Sequence, residues 1–167
     1  MSFAGQRYDF RDQAGDYARL AEELGGLLSG ENDCVANAAN TAALIFDALP
    51  DLNWAGFYFL KQGELVVGPF QGKPACVRIA LGKGVCGTAA AERRTLIVPD
   101  VDAFPGHIAC DAASKSEIVV PLIRGREVLG VLDIDSPRLA RFDEGDARGL
   151  ERLAAIFLDS VRLEDIG

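Results

Sequence analysis

The chain has 167 residues, 49% of them hydrophobic, and a net charge of −8. That length favours one domain, and that hydrophobic share builds a core without disulfide or metal staples. The chain has no Lys/Arg stripe to displace counterions, no long apolar run free of Asn, Asp or Pro, and no apolar leader in "MSFAGQRYDFRDQ". A soluble, cytoplasmic protein that binds neither nucleic acid nor membrane is therefore expected.

From Arg11 to Leu28, Tyr17, Leu20, Leu24 and Leu27/Leu28 recur on one helical face, until "SGEND" interrupts it. Asn32 or Asp33 is the expected N-cap of a second helix, Cys34 to Leu49, which stops at "PDLN". Strand patterns follow in "WAGFYFL" and "ELVVGPF", joined by the tight turn "KQG", and then in "ACVRIAL". "GKGVCGTAAAERR" is a short helix opened by glycine, and "TLIV" a further strand. After a polar loop come "EIVVPLIR" and "EVLGVLDIDS", a hairpin turned at Gly125–Arg126. Asp143 caps a closing helix whose stripe is Leu150, Leu153, Ala154 and Phe157. This order predicts an α+β fold, a central antiparallel sheet of about six strands with helices on its faces. One domain is expected over 1–167, with N-terminal helices about 11–49, the sheet and polar loop about 54–135, and the last helix about 143–163.

Strand alternation places Asp133 and Asp135 on the face of Leu129 and Val131. It also puts Trp54 and Tyr58 on one face, with Gly56 between them leaving room above the sheet. If the last two strands pair as a hairpin, Glu117 falls near the two aspartates. Three carboxylates and two aromatics then converge on one concavity. Such a pocket suits a small zwitterion or cation, because carboxylates and a Trp face both attract ammonium. Crowded carboxylates also repel one another, so at least one keeps its proton near neutral pH. The same "DIDSP" also fits a plain strand-ending turn.

The stretch "FPGHIACDAASKSEI" holds the sole histidine, His107, and one of four cysteines. Several chemistries fit the thiols. Cys76, Cys86, Cys110 and His107 could form a Cys₃His zinc site, although no C-x-x-C pair supports it. Each cysteine could equally be a small buried side chain. Cys86 gains thiolate character if it opens a helix, and Cys110 gains it from backbone donors. His107 serves either as a charge partner for Cys110 or as a loop anchor. Cys34 lies on an apolar helix face and belongs to the core.

The runs "NWAGFYF", "VVGPFQGKPACVRI", "GKGVCGTAA", "VPDVDAFPGHIACDAASKSEIVVPL" and "GVLDIDSP" closely resemble the free methionine-(R)-sulfoxide reductases, stand-alone GAF-domain enzymes. The likeness runs almost unbroken from Asn53 to Pro137, with one departure at Asp102, where many relatives carry histidine. The resemblance implies that Cys110 is the catalytic cysteine and Cys76 the resolving cysteine that forms a disulfide with it. Cys86 matches a third cysteine that can take part in recycling. Glu117, Asp133 and Asp135 match the acidic residues of the substrate pocket, and Trp54 and Tyr58 its aromatic walls. The implied activity is reduction of free L-methionine (R)-sulfoxide through a sulfenic acid and an intramolecular disulfide. A thioredoxin-type reductant would recycle it in a homodimer that needs no cofactor or metal. The alternative is a GAF module that binds a small molecule and regulates without catalysis.

Overall fold

The computed structural model describes residues 8–108, 110–162, 164 and 166. Helix α1 (Gln13–Leu27) opens at Asp12, whose side chain accepts the Gly15 amide at 3.2 Å. Helix α2 (Cys34–Ala48) opens at Asp33, which accepts from the Ala36 amide at 2.8 Å, so Asp33 rather than Asn32 is the cap. Each such cap satisfies an amide that the helix leaves unpaired and contributes about 1 kcal/mol. Both helices bury the faces their spacing predicts, including Tyr17, Leu20, Leu24, Ala38, Ala42 and Ile45.

Strands β1 (Trp54–Lys61), β2 (Glu64–Gly72) and β3 (Arg78–Ala80) come next, followed by α3 (Gly84–Glu92). Then come β4 (Leu96–Val98), β5 (Ser116–Arg124), β6 (Glu127–Ser136) and α4 (Glu144–Ser160). The strands form one six-stranded sheet in the order β3-β2-β1-β6-β5-β4, and every neighbouring pair is antiparallel. This is the expected α+β architecture. The β1–β2 turn places Gln62 and Gly63 at φ 53° and 83°, the left-handed pair that matches the twist of a two-residue hairpin. Asp143 and Asp146 form a reciprocal capping box at the start of α4.

Alternation divides the sheet into two faces. Ala55, Phe57 and Phe59 of β1 join Ile118, Leu132 and Ile134 in the apolar core beneath α1, α2 and α4. Trp54 and Tyr58 point the other way, toward α3, with Val119 and Val131. Helix α3 therefore roofs a smaller core, and the functional residues lie on that side.

The structure departs from expectation at two places. The strand expected over "ACVRIAL" shortens to Arg78–Ala80. Pro74 has no amide to donate, and Cys76 is held instead by a disulfide and by the Tyr58 hydroxyl, which donates to its carbonyl at 3.1 Å. Leu129 does not share the aspartate face. The β5–β6 register shifts between Leu122 and Ile123, where Leu122 pairs with Gly130 and Ile123 with Val128. That irregularity turns Leu129 toward the three-helix core, while Val131 keeps to the α3 side. Gly130 permits this crossing. Its φ is 157°, and a Cβ there would lie 2.2 Å from the Tyr58 carbonyl oxygen. A Gly130→Ala protein is expected to lose about 3 kcal/mol of stability, read from the urea midpoint. An unchanged midpoint would show that the strand relaxes around the methyl.

Candidate active site

Cross-strand pairing assembles the site in rows. Gly72, Trp54, Asp135, Glu117 and Val98 are successive partners across five strands, and directly paired residues share a face. The neighbouring row places Asp133 between Gly56 and Val119. Glu117, Asp133 and Asp135 therefore converge as expected, with the register shift at Leu129 bringing Glu117 directly opposite Asp135. Gly56 does not leave open space, however. A Cβ on it would meet the Phe70 Cβ at 2.2 Å, because Phe70 fills the room above it and stacks on Trp54 with ring centres 5.1 Å apart. Trp54 also stacks on Tyr58 at 5.8 Å, and both rings line the pocket.

The floor of this pocket is acidic and largely buried. Glu117 and Asp133 are each 6% exposed. Burial, and then the charge of Asp135, pushes the Glu117 carboxyl up to about 8. Burial and the charge of Glu117 push Asp133 well above the carboxylate range, and burial and Asp133 do the same to Asp135. Charging a carboxyl in this low-dielectric site costs more than solvent or partners return, so Glu117 holds its proton at neutral pH. The Asp133 Oδ1 atom is buried and has no hydrogen-bonding partner among the described residues. It can accept a bond from an incoming donor.

Cys86 sits at the start of α3, but its helix N-terminus does not make it a thiolate. Its side chain is buried, and desolvation with the charges of Asp133 and Glu117 drives the thiol pKa well up. The neutral thiol donates to Glu117 Oε1 at 3.8 Å. Cys86, Glu117 and Asp133 each offer a ligand atom within 4.8 Å of the others, a donor set that could hold a cation. The expected alternative of a Cys₃His zinc site does not form in this state, because Cys76 and Cys110 are bonded to each other.

That disulfide joins the segment before β3 to the loop before β5, with Cα atoms 5.9 Å apart. Cys110 is exposed and Cys76 half-buried, and Cys110 lines the pocket mouth. His107 does not partner Cys110. Its Nε2 lies 3.7 Å from Glu117 Oε2, and burial lowers its pKa, so two neutral groups meet there at pH 7. Cys34 is buried in the three-helix core, as its helix face predicts.

Trp54, the first residue of β1, and Asn53 just before it hold both cysteine segments. Trp54 Nε1 donates to the Lys73 carbonyl at 3.1 Å, three residues before Cys76. Asn53 Nδ2 donates to Oδ2 of Asp111, the residue after Cys110, at 3.2 Å and to Ser114 Oγ at 2.9 Å. Ser114 Oγ in turn donates to Asp135 Oδ2 at 3.3 Å, and Lys73 Nζ pairs with Asp111 at 3.7 Å. A polar chain thus runs from the acidic floor to the disulfide. Asn53, Lys73, Asp111 and Ser114 were not among the residues expected from sequence. Asn53 abuts the quoted "WAGFYFL" strand, so its place beside the aromatic wall was the one available signal.

Residues 36–157 match the family model described as "GAF domain". The free methionine-R-sulfoxide reductase of Escherichia coli (strain K12) is 53% identical over 139 residues, covering 83% of this chain and 84% of that protein. The protein of the same name from Saccharomyces cerevisiae is 50% identical over 139 residues, covering 78% and 77%. The X-ray structure of free methionine-R-sulfoxide reductase from Neisseria meningitidis, in complex with its substrate, superposes with a TM-score of 0.89 at 45% identity, covering 95% of each chain. A six-stranded antiparallel sheet with four helices, a matching domain over most of its length and relatives of this identity place the chain in the GAF-domain family, among the free methionine-R-sulfoxide reductases.

Proposed function

We propose that the protein reduces the (R)-sulfoxide of free L-methionine, using Cys110 and Cys76 as its redox pair. The observation that carries this reading is an accessible disulfide at the mouth of a pocket floored by two buried carboxyls, Glu117 and Asp133, with the half-buried Asp135 beside them. In the reduced enzyme the Cys110 sulfur attacks the sulfoxide sulfur. A protonated carboxyl of the Glu117–Asp133 pair gives its proton to the sulfoxide oxygen and regains one from the Cys110 thiol. Oxygen passes to Cys110 as a sulfenic acid, and methionine leaves two electrons richer. Cys76 then attacks the sulfenic sulfur and releases water, forming the disulfide seen here. A thioredoxin-type dithiol reduces that bond by exchange. Cys86 supports the pair by holding Glu117 through a neutral thiol, and it becomes available for recycling only if the floor opens.

The same residues account for a free amino acid as substrate. Asp133 and Asp135 accept the α-ammonium, whose positive charge offsets the cost of ionising a carboxyl in this buried site, while Trp54 and Tyr58 flank the side chain. A peptide-bound methionine sulfoxide lacks that ammonium and would leave the carboxyls unmatched in a buried site. Dependence on an external dithiol fits a reducing, cytoplasmic compartment, and no helix among the described residues is long and apolar enough to cross a membrane. A homodimer, the assembly the resemblance implies, completes the proposal.

Two observations favour this over a purely regulatory GAF module: the disulfide opens onto the binding pocket, and the relatives at this identity are reductases. Racemic free methionine sulfoxide, incubated with the protein and dithiothreitol and resolved by chiral chromatography, is expected to lose its R epimer and keep its S epimer. Survival of both epimers would overturn the proposal.

A further inference from the structure

Five large hydrophobic side chains stand exposed among the described residues, and three of them belong to the segments around the disulfide. Val77 is 65% exposed, Leu81 42% and Ile108 38%. Val77 follows Cys76 directly, and Ile108 lies two residues before Cys110. Ile108 reaches back over the start of α3, where a Cβ on Gly84 would come within 3.1 Å of its Cδ1. Val77 and Leu81 flank the short strand β3 on either side of Ile79, which is buried and lines the pocket. Scattered apolar residues on a surface need no explanation, but a group gathered around a bond that must be broken in every cycle does. Charge marks the same place. The chain carries −8 overall, yet "KPACVRIALGK" from Lys73 to Lys83 holds three basic residues and no acid. Lys73 faces Asp111 at 3.7 Å and Arg78 faces Glu64 at 3.5 Å, but all three cations stand exposed. Strand β3 also lies at the edge of the sheet.

We propose that Val77, Leu81 and Ile108, rimmed by Lys73, Arg78 and Lys83, form the docking surface for the protein dithiol that re-reduces Cys76–Cys110. The partner it fits presents a reactive thiol inside an apolar face with an acidic rim. This rests on the reductase function proposed above. The partner's thiolate attacks the exposed Cys110 sulfur, the Cys76–Cys110 bond breaks, and Cys76 leaves as a thiolate that takes a proton from solvent. The partner's second thiolate then attacks the partner sulfur of the mixed disulfide. Cys110 is released as a thiolate, and the partner leaves oxidised by two electrons. A small dithiol needs none of this surface.

The test compares thioredoxin, regenerated by its reductase and NADPH, with dithiothreitol as reductant for the full-length enzyme. Val77→Asp and Lys83→Glu are each expected to raise the KM for thioredoxin by about tenfold while leaving turnover with dithiothreitol within about twofold. The thioredoxin KM of the unaltered enzyme should also rise with ionic strength, and its dithiothreitol turnover should not. If both variants keep an unchanged thioredoxin KM, the docking surface is wrong. Should Val77→Asp impair turnover with dithiothreitol as well, Lys83→Glu and the salt dependence decide the matter. If the unaltered enzyme fails with dithiothreitol itself, the reductase function falls instead.

Discussion

A Cys110→Ser protein is expected to reduce free methionine (R)-sulfoxide at less than about one-thousandth of the unaltered rate, because removing a covalent nucleophile cannot be offset by binding alone. Cys76→Ser should behave differently. It loses steady turnover but still yields one methionine per chain in a single-turnover assay, since its lesion follows oxygen transfer. The stranded sulfenic acid should then be trapped by dimedone as one adduct on Cys110, read by peptide mass spectrometry. The difference in accessibility favours this assignment, with Cys110 exposed and Cys76 half-buried under the hydrogen bond from Tyr58. Full turnover by Cys110→Ser, or a burst of methionine from it but not from Cys76→Ser, would reverse the two roles.

Glu117→Gln is expected to lower kcat/KM by about 10²–10⁴-fold, the range of a positioned acid. In the unaltered enzyme, activity should fall as pH rises through about 8, where Glu117 loses its proton. The variant should lack that descending limb. Stability supplies a second readout. The Glu117 carboxyl is raised from 4.5 to about 8 on folding, so between those values the native state binds more protons than the unfolded chain. Stability therefore declines as pH rises across that window, and the full penalty is present above about 8. Glutamine carries no such penalty, so the melting temperature of the variant relative to the parent should climb from pH 5 to pH 9. Parallel melting curves across that range would show that Glu117 is ordinary in acidity, and its role as the acid would fail with them.

The acidic floor was legible in sequence for a simple reason. Period-two alternation puts Asp133 and Asp135 on one face and the hairpin brings Glu117 to the same end, while the bulge at Leu129 sets Glu117 directly opposite Asp135. The helices were equally legible, because Asp12, Asp33 and Asp143 carry their own capping chemistry. Leu129 escaped because a bulge breaks the period, and its only trace is a glycine that could equally mark a bend. The space above Gly56 escaped because filling it depends on Phe70, a residue of the partner strand. The protonated state of Cys86 also required tertiary structure. A helix start by itself favours a thiolate, and only the carboxyls brought up beneath it reverse the sign. The pairing of Cys76 with Cys110 came from resemblance, not from spacing.

The row that runs from Trp54 through Asp135 to Glu117 also bears on how the chain avoids misassembly. Residues adjacent to these acids in sequence, Ile118 and Ile134, point into the three-helix core and are fully buried. Sliding β5 or β6 by a single position would drive carboxyl groups into that oil and lift isoleucines into the polar cleft. The penalty would fall on both faces at once, so the groups that make the site reactive also act as proofreaders of the sheet. A variant with apolar residues in their place would lose that discrimination along with its chemistry, and its strands would be freer to pair out of step.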